Sequence, residues 1–182
     1  MVYLNKFKQL SDKAVASLYN LVKDLVNKNT TNILEVGTYA GQVTVRLCAA
    51  AGEKSSSANV ISIDDNNDTF SPSAEESLKE NHFRNYYIES NGDIEQRFEE
   101  NVIKANIIYI DRFHDQIEEK LEFIEKNVIV PTKVIFRNPK NADDYPFDVT
   151  ELLPEIKPRA RKKVTPVKEE VKEITQNKKT TP

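Results

Sequence analysis

The segment EVGTYAG, residues 35–41, has residue types that can bind the polar groups of a ligand. It follows a short apolar run and precedes a helical pattern. A glycine has no Cβ, so Gly37 and Gly41 permit unusual φ angles and close approach of a ligand to the backbone. The following helix would direct its free N–H groups at the same place, and Gly52 is placed to end that helix. The pattern predicts a strand, a glycine turn and a helix. The turn is either a ligand site or only a tight connection in an α/β sheet.

Carboxylates recur where later apolar runs end. Asp64 follows the run 59–63, where a carboxylate can accept hydrogen bonds from ribose hydroxyls, although a solvated turn is the alternative. Asp93 precedes a helical pattern and is either its N-cap or a ligand contact. Asp111 ends the run 106–110, and His114 follows it as either a base or an ordinary loop histidine.

The glycine segment separates two families of nucleotide-binding proteins. Tyr39 stands where a dinucleotide fingerprint would have its second glycine, which argues against a dehydrogenase. Residues 35–41 instead resemble the first motif of class I S-adenosylmethionine (SAM) methyltransferases, particularly the catechol-type and sugar O-methyltransferases. The resemblance implies SAM as the cofactor and a pocket for its methionine half, formed by Glu35, Gly37, Thr38, Tyr39 and Gly41.

The same resemblance extends to the later carboxylates. It implies that Asp64 binds the ribose and that Asp93 lies beside the adenine amino group. After the fourth strand the family commonly has Ile-Asp-Gly-x-His, and Asp111 and His114 match this pattern. The implied reaction is methyl transfer to an oxygen of a small molecule, with Asp111 or His114 assisting deprotonation.

Two arginines distinguish this chain from the metal-dependent members of that family. Arg112 replaces the glycine after Asp111, and Arg137 stands near the end of the predicted fifth strand, where those members place an acidic or Asp-Asn ligand. Each cation would oppose a second positive charge. The sequence therefore predicts that no divalent metal binds at Asp111.

The residue pattern predicts that strands and helices alternate along the chain and position these residues. Apolar runs predict strands near 32–36, 59–63, 86–88, 106–110 and 133–136, and a 3.6-residue period predicts a first helix over 12–28. This order predicts a Rossmann-like α/β fold over residues 1–150, with an open, mostly parallel sheet covered by helices on both faces. The family's final antiparallel strands are not recognisable after residue 136, so we predict that they are missing.

Composition limits the class of protein further. The single cysteine, Cys48, excludes an internal disulfide framework, and its helical position predicts a buried thiol. One cysteine and two histidines do not suffice for a zinc site. The sequence has no apolar window of about 18 residues and no signal-peptide pattern at its start. We therefore expect a cytoplasmic protein without a membrane partner.

The last segment, residues 151–182, differs from the rest of the chain in charge. It carries nine basic and five acidic residues, a net charge of +4, whereas residues 1–150 carry 17 basic and 24 acidic residues, a net charge of -7. This Pro-, Lys- and Thr-rich segment is either a solubilising tail or an arm that docks on a protein partner. No aromatic residue interleaves its charges, which argues against a nucleic-acid surface.

Two functions are consistent with these observations. The first is a SAM-dependent methyltransferase that acts on a small-molecule acceptor. The second is a catalytically degenerate methyltransferase fold that serves as a binding or assembly protein through its basic tail.

Overall fold

The structure is a computed structural model that describes residues 10–38, 41–55, 58–64, 72–80, 86–89, 93–111, 116–138 and 140–154. Helices and strands alternate along most of the chain. Their order is α1 (Asp12–Leu25), β1 (Asn32–Val36), α2 (Gln42–Lys54), β2 (Asn59–Ile63), α3 (Pro72–Glu80), β3 (Tyr86–Glu89), α4 (Ile94–Val102), β4 (Ile107–Ile110), α5 (Ile117–Asn127), β5 (Thr132–Arg137) and β6 (Phe147–Leu152).

The six strands form one sheet in the order β3-β2-β1-β4-β5-β6. The first five are parallel, and β6 pairs antiparallel with β5. The strand order reverses between β1 and β4, since the chain moves outward from β1 to β3 and then returns to the other side of β1. Open α/β sheets bind ligands at the carboxyl ends of the strands beside such a switch point, which places the segment after β1 in the expected position.

Helices cover both faces of the sheet. On the first face, α1 and α2 pack on each other and on side chains such as Ile33, Val60 and Ile107. On the second face, α4 and α5 bury Phe98 and Ile124 against the alternate strand residues. Because both faces are covered, β4 is buried at every position and β1 at every position after Asn32, as expected for central parallel strands. The fold class predicted from the sequence, a Rossmann-like α/β sheet, is confirmed.

The prediction that the closing antiparallel strands are missing is wrong for one strand. β6 pairs with β5 over its whole length, from Arg137↔Phe147 to Thr132↔Leu152. Its sequence, FDVTEL, mixes apolar and polar residues and only Phe147 is buried, as is usual for a strand at the edge of a sheet. β6 also crosses the boundary that we predicted at residue 150.

Two predicted helix ends differ from the structure. Gly52 does not end α2, because the helix continues to Lys54 and Ser55 is its C-cap. α1 ends at Leu25 rather than near residue 28, since Val26 already has extended backbone angles.

The remaining expectations about the chain concern its environment and its last segment. Within the described ranges, no helix has the length and apolar composition needed to cross a bilayer. The structure describes the last segment only as far as residue 154, so most of the basic tail lies outside the described residues.

Candidate ligand-binding site at the carboxyl edge of the sheet

The glycine turn lies directly after the central strand β1. Gly37 has a φ of 106° and Gly41 has a φ of 77°, angles that a residue with a Cβ adopts only at a cost. The Gly37 N–H donates to Ile63 at the end of β2 (2.9 Å), and the Gly41 N–H donates to Thr38 (2.8 Å). Gly41 is the N-cap of α2 and offers no side-chain cap to that helix. Neither glycine therefore has a side chain that would cover the backbone of the turn or the first residues of the helix.

A buried hydrogen-bond network holds the carboxyl of Glu35 below this turn. Glu35 Oε2 accepts from the hydroxyl of Thr44 on α2 (2.6 Å) and from the hydroxyl of Ser62 on β2 (2.5 Å). The Thr38 and Ser62 hydroxyl oxygens are 2.5 Å apart. Because Ser62 gives its hydrogen to Glu35, Thr38 is the donor in that contact. The network connects β1, β2, α2 and the turn itself.

The Glu35 carboxyl has an unusual environment for an acid. The residue is 0% exposed, and Oε1 is buried without a hydrogen-bond partner among the described residues. Burial raises the pKa of this carboxyl from its usual 4.5 to about 8, against the lowering effect of the Ser62 and Thr44 hydrogen bonds. The carboxylates of Asp111 and Asp64 raise the pKa further. Glu35 is therefore mostly neutral at pH 7.

Asp64 and Asp111 lie at the ends of the two strands that flank β1. Both are buried, and both are close enough to Glu35 to affect its pKa. Asp111 also faces Arg137 at the end of β5, with 3.5 Å between Arg137 Nη1 and Asp111 Oδ1. The structure thus places the cationic side chain of Arg137 at Asp111, as the sequence suggested.

The hydroxyl of Tyr109 completes this polar group. Tyr109 pairs with Glu35 in the register of β1 and β4, and its ring packs edge-on against Phe147 of β6. Its hydroxyl is buried and makes no hydrogen bond of normal geometry with the described residues. Burial raises the pKa of Tyr109 well above its usual range, and the nearby carboxylates of Asp111 and Glu35 raise it further.

The structure shows Asp93 in one of its two predicted roles, that of a helix N-cap. It is the N-cap of α4, and its Oδ1 accepts from the Glu95 N–H (2.9 Å). Its side chain is exposed, and α4 begins after β3, on the same edge of the sheet as the glycine turn. The adenine contact implied by the resemblance stays a prediction.

The structure brings together part of the predicted site. Glu35, Gly37, Thr38, Asp64 and Asp111 converge around the switch point. Tyr39 and His114 lie outside the described residues, as does Arg112, so their predicted roles stay predictions. No cluster of three or more potential metal-ligating side chains occurs in the described part of the chain.

The sequence reasoning missed Thr44, Ser62 and Tyr109. Ser62 and Tyr109 each stand two residues before a predicted strand-end carboxylate, as Glu35 stands two residues before Gly37. Since side chains alternate along strands, these three polar residues had to share one face. Cys48, in contrast, is buried as predicted, and burial raises the pKa of its thiol to about 12.

Comparison with known proteins shows a likeness in fold rather than in sequence. No protein-family profile matches the sequence, and no curated protein matches it significantly. Among solved structures, the chain is similar to the O-methyltransferase TomG from Streptomyces achromogenes, which was solved in complex with SAM. The two proteins are 16% identical, and the match has a TM-score of 0.55 and covers 75% of this chain and 64% of TomG. It is also similar to an O-methyltransferase from Bacillus cereus solved with SAH (S-adenosylhomocysteine), at 20% identity and a TM-score of 0.55 over 71% of this chain and 58% of that protein.

A third similar structure is matched over its whole length. This rRNA methylase from Streptococcus thermophilus is 11% identical, with a TM-score of 0.54 over 81% of this chain and 100% of the methylase. The chain spans less than two thirds of the two O-methyltransferases. The structural neighbours thus define the class I methyltransferase fold for this chain.

Proposed function

We propose that this protein binds SAM at the glycine turn and is a methyltransferase-like protein that transfers the methyl group to an oxygen of a small molecule. The single observation that carries the proposal is the convergence of Gly37, Gly41, Glu35 and Asp64 at the switch point of the sheet. Proteins of this fold in complex with SAM or SAH are among the structural neighbours, which supports the choice of ligand.

The residues of the site suit such a ligand on two counts. First, the positive φ angles of Gly37 and Gly41 leave open backbone where a Cβ would otherwise stand. Second, Glu35 Oε1 is a buried polar atom without a partner among the described residues, and it lies on the residue two positions before the turn. An ammonium group, as in the methionine half of SAM, is the kind of partner that a buried carboxyl requires.

Each residue has a defined task in this proposal. The backbone of the turn and Glu35 bind the methionine half, Asp64 binds the ribose hydroxyls, and Asp93 adds an adenine contact. SAM supplies a methyl group already activated by its sulfonium, so the protein must mainly align acceptor, methyl and sulfur. Asp111, or His114, then takes the proton of the acceptor hydroxyl.

Calorimetric titration of the purified protein with SAM tests the binding step. We expect a saturable heat for the unmodified protein and a large loss of affinity in Gly37→Ala, because a Cβ at a φ of 106° disfavours the turn and projects toward the ligand. The matched control is Gly52→Ala, the same substitution inside α2, which should bind SAM normally and gain about 0.5 to 1 kcal/mol of stability. Absence of binding heat in the unmodified protein at near-millimolar SAM would refute the proposal.

The contact between Arg137 and Asp111 favours a second candidate function. In this alternative the fold has lost its acceptor chemistry, and the protein acts as a binding or assembly protein through its basic tail. The ion pair occupies the carboxylate that would otherwise assist deprotonation. Incubation with methyl-labelled SAM and a set of catechol and sugar acceptors separates the two, since the alternative predicts SAM binding without labelled product.

A further inference from the structure

The carboxyl of Glu35 lacks a positive partner. None of the described basic side chains forms an ion pair with it, although it is completely buried. An ionised carboxylate in such a place would have only the two hydroxyl donors of Thr44 and Ser62 to offset the loss of water. The geometry alone therefore favours the neutral, protonated acid.

The titratable groups that surround Glu35 do not change this conclusion. Asp64 faces it from the end of β2, Asp111 and Tyr109 from β4, and Cys48 from α2. Each of these four groups is either neutral or negative when it titrates, so none compensates a negative charge on Glu35. The cation of Arg137 is at Asp111 instead.

The two carboxyl oxygens of Glu35 have different environments. Oε2 accepts both hydroxyl hydrogen bonds, whereas Oε1 has no partner among the described residues. We therefore place the proton of the neutral acid on Oε1, the oxygen that has no hydrogen-bond partner among the described residues. A cation that reaches Oε1 would supply the missing charge, and the carboxylate would then be the favoured form.

We propose that a cationic ligand group at the glycine turn displaces the proton of Glu35, so that ligand binding releases this proton to solvent. The O–H bond of the carboxyl breaks, its electron pair stays on Oε1, and the resulting carboxylate pairs with the ligand's positive group. This inference rests on the proposed function, in which that group is the ammonium of SAM or SAH. It assigns Glu35 a charge-coupling role in addition to positioning the turn through Ser62 and Thr38.

Calorimetry in two buffers measures the released proton. SAH is titrated into the protein at pH 6.5 in PIPES and in Bis-Tris, whose ionisation enthalpies differ strongly. At this pH an α-amino group with a pKa of about 8 is already almost fully protonated, so the ligand itself contributes little. We expect the binding enthalpy to differ between the buffers by an amount that corresponds to between a half and one proton released.

Two variants assign the proton to its residue. Glu35→Gln resembles the neutral acid and cannot lose the proton, so its binding enthalpy should be the same in both buffers. Glu118→Gln makes the same chemical change at an exposed position of α5 and should keep the full buffer dependence. An unchanged buffer dependence in Glu35→Gln would overturn the assignment.

The unmodified protein offers a second measurement that does not depend on whether Glu35→Gln folds. If binding releases one proton, the affinity for SAH rises by up to about tenfold per pH unit between pH 5.5 and 7. Binding heat that is equal in the two buffers, together with a pH-independent affinity, overturns the proton coupling but leaves the proposed function standing. Absence of any binding heat overturns both.

Discussion

Replacement of Glu35 by glutamine should change how the stability of the folded protein depends on pH. The pKa of this carboxyl is about 8 in the folded protein and near 4.5 when the chain unfolds. Between these values the folded state holds a proton that the unfolded state has lost, so the free energy of unfolding falls as pH rises. The contribution is fully present below pH 4.5 and is lost by about pH 8.

The size of the effect follows from the difference in pKa. One pKa unit corresponds to 1.36 kcal/mol, so a shift from 4.5 to about 8 predicts a loss of about 5 kcal/mol across this range. This is a large part of the ~5 to 15 kcal/mol that stabilises a typical domain. The amide of glutamine does not titrate, and its oxygen can still accept from Thr44 and Ser62.

Urea unfolding of both proteins at pH 5, 6, 7 and 8 measures the effect. The difference between the two curves isolates position 35, because all other titrating groups are common to both proteins. At pH 5 the variant should be equal or slightly less stable, since its amide has one more hydrogen to satisfy in the space around Oε1. At pH 8 it should be more stable by several kcal/mol. Stability curves that run parallel over this range would refute the reasoning.

Three further predictions concern the network, the metal and the tail. Thr44→Val should destabilise the fold by about 1 to 3 kcal/mol in urea unfolding, because Glu35 Oε2 loses one of its two buried donors. The control, Thr150→Val on the edge strand β6, should change stability by less than about 0.5 kcal/mol. Calorimetry with magnesium should show no saturable binding at Asp111, because Arg137 already supplies a positive charge there. Magnesium binding that is lost in Asp111→Ala but kept in Asp93→Ala would contradict this prediction. Truncation after Pro154 should leave the melting temperature nearly unchanged, because the removed segment has little apolar surface to bury. A drop of more than about 3 °C, the scale of a 1 kcal/mol loss in a domain of this size, would show that the segment packs on the domain.

The sequence predicted the central strands of the sheet because these strands are buried on both faces. Runs such as Ile107–Ile110 are apolar at every position, and a parallel strand covered on both faces needs this composition. Gly37 and Gly41 were recognisable because their positive φ angles restrict the choice of residue. Helix ends were less predictable, since α2 continues past Gly52 to Lys54 and its last turn contacts α1 through Glu53, which meets Tyr19 and Lys23.

The buried polar network could not be predicted in the same way. Thr44 and Ser62 are common residues in helices and strands, and only the packing of α2 over β1 and β2 brings their hydroxyls to Glu35. The ion pair between Arg137 and Asp111 depends likewise on the pairing of β4 with β5. β6 was missed because an edge strand with one exposed face has no continuous apolar run.

The order of strands in the sheet also has a consequence for the folding pathway. The pairing of β5 with β6 joins residues as close in sequence as Arg137 and Phe147, whereas the pairing of β1 with β4 joins Ile33 to Ile107. Contacts between distant residues require closure of a long loop, so they form late and slow the folding of the whole domain. We expect the β5–β6 hairpin to form early and the glycine turn to acquire its shape only when β1 and β4 meet. A ligand of this turn would then slow unfolding without accelerating folding, because its binding surface is absent until the last barrier has been crossed.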